Sequence, residues 1–211
     1  MLLHLLQTQP LYIFPWLITV LISIGIHEFC HALAGYLQGD DTAQREGRLT
    51  LNPLAHIDWL GLMLLVVAGF GWGKPTPFNP YNLKYKKWGS AIVSMAGPAS
   101  NVVLALASLT AYKLAGFSNP LFDQINLLAV FLLFMVQMNV VLFVFNLIPI
   151  PPLDGSKVLY TFLGYRRQNI IVWLERNGFW LLLGLVFLGQ GILQWLMGFV
   201  LLGLYQLFGF L

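Results

Sequence analysis

Charged side chains and cysteine are scarce in this chain. Only 9% of its 211 residues are charged against 58% hydrophobic, and the mean hydropathy is +0.76. That balance excludes a soluble globule and indicates an integral membrane protein whose core is a bundle in lipid. A lone cysteine, Cys30, excludes an internal disulfide and reads as a small packing residue. No hydrophilic block is large enough to fold separately as a regulatory or sensor domain, so residues 1–211 are expected to form one domain. The formal charge of +3 and the pI near 9.1 do not point to nucleic acid, because the basic residues sit beside apolar segments, where they set orientation. The N-terminus also lacks a positively charged start and a small-residue cleavage site, so the first segment is expected to be retained rather than removed as a signal peptide.

Against this background, three ionisable residues stand out inside an apolar run: His27, Glu28 and His31, in the pattern H-E-x-x-H. On a helix the two histidines project from one face a turn apart, where both imidazoles reach one zinc ion. Glu28 lies about 100° round from His27, placed to take a proton from a metal-bound water without being a ligand itself. In a soluble helix so short a motif arises by chance. Within hydrocarbon, three such groups on one turn cost about 3 kcal/mol each unless a ligand or partners satisfy them. A metal site is therefore expected.

Residues 13–37 are long enough to cross, with Tyr12, Trp16 and Tyr36 near the ends as interfacial aromatics. Residues 38–58 are the most polar part of the chain, and Gly47 to Leu51 alternates weakly as a short β-strand would before Asn52-Pro53 ends it. Residues 59–70 are apolar but only about a dozen long, which suits a re-entrant segment. Charge supports that choice. If 59–70 returns to the side it left, ten of the eleven basic residues share one side and only Lys113 lies on the other; if it crosses, the division is eight against three. The positive-inside tendency then places the N-terminus outside, with 38–87 and 149–178 cytoplasmic.

The second crossing is expected at 88–112 and contains Gly97-Pro98-Ala99-Ser100-Asn101. A mid-helix proline frees a carbonyl and kinks the helix, and its small neighbours let another helix approach; Asn101 is either interhelical glue or part of the site. A short outer loop, 113–125, leads to the third crossing at 126–148. Asn139 and Asn146, seven apart, share a face and either hold a substrate backbone or oxyanion or bond helix to helix. Pro149, Pro151 and Pro152 then force extended chain, tolerated at membrane depth only where protein buries it or a wet cavity faces it. Asp154 opens the next helix as an N-cap or serves as third metal ligand, with His56 and Asp58 as rivals for that place. Residues 156–178 are amphipathic and basic, with Arg166, Arg167 and Arg176 as inner-surface anchors. Residues 179–211 are almost wholly apolar and form one helix or, broken at Gly189-Gln190-Gly191, a hairpin, giving four or five crossings.

In their order on three successive crossings, His27-Glu28-x-x-His31, Gly97-Pro98-x-x-Asn101 and Asn146-x-x-Pro149 leading to Leu153-Asp154-Gly155 resemble the site-2 protease family of intramembrane zinc metalloproteases. The resemblance covers residues 13–163. It implies an all-α polytopic membrane protein with a three-helix catalytic core, a re-entrant and partly β membrane-associated segment between the first two crossings, and a C-terminal hydrophobic helix or hairpin. It further implies one zinc per chain held by His27, His31 and Asp154, with Glu28 as the catalytic base, and membrane-protein substrates cut in or near their transmembrane helices. No inserted PDZ-like or cystathionine-synthase-type domain is present, so the chain looks like a compact prokaryotic branch, expected in the cell membrane. His56 is a candidate gating or supporting group that the family pattern does not assign. Two other classes are open to the residues alone: a zinc transporter, which would need a continuous polar path that the later helices lack, and a catalytically silent membrane-binding relative, which would not need Glu28.

Overall fold

A computed structural model describes residues 9–68, 71–117, 126–164 and 167–210. All its regular elements are helical: α1 (Ile13–Leu37), α2 (Thr42–Arg45), α3 (Trp59–Ala68), α4 (Gly89–Leu114), α5 (Leu127–Asn146), α6 (Gly155–Leu163), α7 (Gln168–Leu188) and α8 (Gln190–Leu207). Five of them, α1, α4, α5, α7 and α8, are long and apolar enough to cross a membrane. The first three crossings fall within about two residues of their expected bounds.

Helices α1, α4 and α5 pack on one another as the three-helix core. Their buried faces carry Val20, Ala91, Val93, Ala105, Val136 and Val140, together with the polar Ser23, Asn101 and Asn139. Helix α1 starts after a short 3-10 turn at Pro10–Tyr12 and tolerates Pro15 because the first turn has no intrahelical partner for its missing N–H. It stops at Gly39, whose φ of 94° closes the helix in the left-handed conformation that glycine adopts without strain. The Asp40 N–H reaches back to the Gly35 carbonyl and the Gly39 N–H to that of Tyr36, which satisfies the final turn.

Residues 38–87 return to the end they left. The Lys84 N–H donates to the Gln38 carbonyl (2.9 Å) and the Gln38 amide to that of Gly89 (3.4 Å), pinning the start and finish of the excursion together. Between these points Pro53 packs 3.3 Å from where a Cβ on Gly25 would sit, and α3 lays Leu62, Leu65 and Val66 along Trp16 and Val20. The excursion thus dips beside α1 and comes back; Gly69 and Phe70 lie outside the described residues.

The strand expected at Gly47 to Leu51 does not form, and among the described residues there is no strand. Side chains take the backbone groups that a ladder would need. The Thr50 carbonyl accepts from His56 Nε2 (2.9 Å), the Asn52 carboxamide caps Leu54 N–H (3.1 Å), and the Arg48 guanidinium bonds the carbonyls of Ala55, Lys74 and Pro75. Such local side-chain bonds compete directly with sheet formation.

Beyond the core, α6 packs on α4, and α8 on α5 through Leu196, Val200 and Leu204. Helix α7 begins at Gln168, eleven residues before the expected 179, so Arg176 lies within a helix, on its exposed side. Glu175 is tied there to Lys157 (2.9 Å), which lets the charged turn be helical. The break between α7 and α8 is Gly189 alone, bonded on both sides, to Leu185 O and from Leu193 N–H. Arg166 and most of the expected outer loop, 118–125, lie outside the described residues.

Candidate metal centre

The turn of α1 that carries H-E-x-x-H faces α4, and His27 and His31 are both buried. Their Nε2 atoms lie 3.0 Å apart, and each is 3.2 Å from Oδ2 of Asp154. Asp154 stands at the N-terminus of α6 but makes no capping bond; its carboxylate turns to the histidines instead. The carboxylate therefore groups with the two histidines and does not cap α6. His56 and Asp58 are elsewhere: His56 is fully buried with Nε2 on Thr50, and Asp58 caps α3 through Leu60 N–H (2.9 Å) and Gly61 N–H (3.0 Å). Among the described residues, His27, His31 and Asp154 form the group able to hold a metal ion.

The donor set fits zinc. A tetrahedral ion with bonds of about 2.0–2.1 Å needs donor atoms roughly 3.3 Å apart, close to the three edges seen. Asp154 Oδ2 is buried with no hydrogen-bond partner, a costly state for a carboxylate oxygen unless a cation completes it. Two histidines and one carboxylate leave a fourth position open for water or substrate.

Both imidazoles are oriented from behind. His27 Nδ1 lies 2.6 Å from Oδ1 of Asn101, and His31 Nδ1 2.7 Å from the Val93 carbonyl, so each Nδ1–H donates and each Nε2 keeps its lone pair for a metal. The Val93 carbonyl comes from the turn that Pro98 disturbs, since proline cannot donate to the carbonyl of Ser94 and crowds that turn. Asn101 donates its amide to Asn139 Oδ1 (2.8 Å), and Asn139 donates onward to Ser23 Oγ (2.9 Å) and the Met135 carbonyl (2.7 Å). Asn101 and Asn139 therefore orient the His27 imidazole from inside the bundle. Asn146 does not join them: it is half-buried and its amide bonds the Leu142 carbonyl of its own helix (3.0 Å).

Two glycines, whose contact with the site was not anticipated, shape the cradle. A Cβ on Gly97 would sit 2.6 Å from His31 Cε1 and 2.7 Å from His27 Cε1, so a hydrogen is all that fits against the imidazoles. Gly155 is closed in by the carbonyls of Leu147 and Ile148, the turn that swings Asp154 inward. Thr76 was also not anticipated. Its N–H donates to Glu28 Oε2 (2.8 Å) and its hydroxyl to the Glu28 carbonyl (3.1 Å). The G-P-x-x-N and D-G motifs signalled both glycines, whereas nothing local signalled Thr76.

Comparison with known proteins identifies the family. The model of "Peptidase family M50" matches residues 122–188, a stretch that includes Asn139, Asn146 and Asp154. The chain is 45% identical over 160 residues to Bacillus subtilis YwhC, a protein provisionally named a zinc metalloprotease; the match covers 71% of this chain and 70% of that one. It is 35% identical over 169 residues to Rip2 of Mycolicibacterium smegmatis, covering 75% of this chain and 61% of that protein, which carries the same provisional name. To Rip2 of Mycobacterium tuberculosis H37Rv it is 31% identical over 185 residues, covering 85% and 69%. No solved structure matches the chain. With H-E-x-x-H and Asp154 brought to one point between three apolar helices and relatives this similar along most of the chain, the protein belongs to peptidase family M50, the site-2 protease family that its motifs resemble.

Proposed function

We propose that this chain is an intramembrane zinc metalloprotease that hydrolyses peptide bonds in or near the transmembrane helices of other membrane proteins. The observation that carries the reading is the triangle of His27 Nε2, His31 Nε2 and Asp154 Oδ2 beside a glutamate on the same turn. One zinc held by these three residues would supply Lewis acidity, polarising the scissile carbonyl and making water a stronger acid. Glu28 takes the proton from the attacking water and passes it to the leaving amine. His27 and His31 keep their Nε2 lone pairs directed at the centre because Asn101 and the Val93 carbonyl hold their Nδ1–H groups.

A substrate helix must unwind locally before it is cut, because its carbonyls are engaged in its own hydrogen bonds. In this reading Asn146, half-buried at the end of α5 just before the turn to Asp154, bonds the unwound backbone through the part of its carboxamide that the Leu142 carbonyl does not engage. The distribution of basic residues supports an N-terminus outside, with 38–87 and 149–178 cytoplasmic.

The deciding experiment compares cleavage of a panel of single-pass membrane proteins by the wild type and Glu28→Gln in detergent, with zinc measured on both. The expected result is about one zinc per chain in each protein and cleavage only by the wild type. Undiminished cleavage by Glu28→Gln would sink the reading.

A further inference from the structure

Residues 71–79, Gly-Trp-Gly-Lys-Pro-Thr-Pro-Phe-Asn, have no regular secondary structure and run along α1 past Ile24 and Glu28. Pro75 and Pro77 have no N–H and bias the residue before each toward extended backbone, so between Lys74 and Phe78 the one backbone donor is that of Thr76. That donor is spent on Glu28 Oε2 at 2.8 Å. The Thr76 hydroxyl adds a second bond, to the Glu28 main-chain carbonyl, at 3.1 Å. The strap is therefore registered against the same residue at two points.

It is held at both ends by buried charges. Arg48, 4% exposed, bonds the carbonyls of Lys74 and Pro75, while the Lys74 N–H donates to the His56 carbonyl (2.9 Å). Three residues beyond Thr76, the Asn79 N–H donates to Oδ2 of Asp40 (2.6 Å), a carboxylate 1% exposed. Neither charge pairs with the other; each instead bonds main-chain, hydroxyl or amide groups of the excursion. Buried charges are costly when their hydrogen bonds are lost, so the bonds that Arg48 and Asp40 make to this short segment favour one position for it. The position they specify is that of the Thr76 N–H. Gly73 lets the strap lie this close: a Cβ there would meet Ile24 Cγ2 at 2.9 Å.

We propose that Thr76 is a positioning residue for Glu28: its main-chain N–H, set by the Pro75-Thr76-Pro77 strap and by the Arg48 and Asp40 anchors, fixes the carboxylate that moves the proton. The proposal rests on Glu28 being the base. A carboxylate on a side chain with three rotatable bonds would otherwise sample several rotamers, and misplacing a reacting group by about 1 Å costs about 10²-fold in rate.

The test deletes the donor while keeping an extended backbone. Thr76→Pro is expected to lower kcat about 10²-fold with KM and zinc content unchanged, and Thr76→Ser, which keeps both donors, to restore kcat to within about threefold of wild type. A second readout does not involve activity. Residues 75–77 contain a single exchangeable amide, so the hydrogen exchange of that tripeptide reports the Thr76 N–H alone. Protection in the wild type and its loss in Glu28→Ala are expected. Free exchange in the wild type, or an unchanged or raised kcat in Thr76→Pro while Glu28→Gln is inactive, would overturn the proposal and leave the protease reading standing. Full activity in Glu28→Gln would overturn both.

Discussion

The Nδ1 of His27 lies 2.6 Å from Oδ1 of Asn101, and this contact decides which nitrogen of the imidazole is free for a metal. The Asn101 amide cannot turn round, because its Nδ2 is engaged by Asn139 Oδ1, and Asn139 is engaged in turn by Ser23 and Met135. Three helices thus set the orientation of one imidazole. Replacing Asn101 with Ala is expected to weaken zinc binding by about 10- to 100-fold, read by competition with a chelator of known affinity. Asn139→Ala, one bond further out, is expected to weaken it less. Equal zinc affinity in all three proteins would remove the relay from the account.

Gly97 tests the cradle from the opposite side. An added Cβ would lie within 2.7 Å of Cε1 on both histidines, on the face of α4 where Gly97 and Pro98 are buried. Gly97→Ala is expected to abolish stoichiometric zinc while leaving the helical content unchanged, as measured by metal analysis and circular dichroism. Gly191→Ala and Gly198→Ala are the controls, since nothing lies within 4 Å of a Cβ at either. Both should bind zinc as the wild type does.

The parts of this site that are local in the chain could be read directly from it. His27, Glu28 and His31 share one turn, and a proline-rich break before Asp154 announces an irregular backbone at depth. The three core crossings were legible for the same reason, long uninterrupted apolar runs. What was hidden depends on distant partners. Thr76 meets Glu28 across 48 residues, and Asn101 meets His27 across 74, and no periodicity encodes such pairs. The start of α7 was obscured because Glu175, Arg176 and Asn177 interrupt its apolar pattern, and only the ion pair with Lys157 shows why that turn is helical. The strand reading at Gly47 to Leu51 failed because the side chains of Arg48, Asn52 and His56 satisfy backbone groups there and nearby, which weak alternation alone cannot reveal.

Asp40 gives the excursion a pH dependence. Burial pushes its carboxyl up, but the bonds from the Thr42 hydroxyl, the Asn79 N–H, the Asn82 amide and the Thr42 N–H together outweigh that and hold it below the usual carboxylate range. Its folded pKa is depressed, so its contribution to stability is fully present above the ordinary value of about 3.9 and is lost as pH falls through the folded value. Asp40→Asn places an amide donor against these donors and is expected to destabilise by about 1–3 kcal/mol at pH 7. Thermal unfolding of both proteins in detergent should show the gap closing as the pH falls below about 4. A gap that is constant with pH would mean that the charge is not what holds the strap.

Chelation separates ligands from base by stability alone. Asp154 Oδ2 is buried without a hydrogen-bond partner, and it faces two imidazole nitrogens at 3.2 Å, so the three groups are held together at a cost that a cation relieves. Anything that binds the folded state and not the unfolded one stabilises it by mass action, by about 2.7 kcal/mol when the free ion is at 100 times its dissociation constant. Removing zinc from the wild type is therefore expected to lower its Tm by several degrees, and restoring the ion to reverse the loss. Glu28→Gln should show the same drop, because Glu28 bonds Thr76 and is not among the three donors. Asp154→Ala should unfold at one temperature with or without chelator, since two histidines alone leave the ion only weakly held. If Glu28→Gln instead lost the chelator response, Glu28 would be acting as a ligand, and the division between the residues that hold the ion and the residue that moves the proton would have to be redrawn.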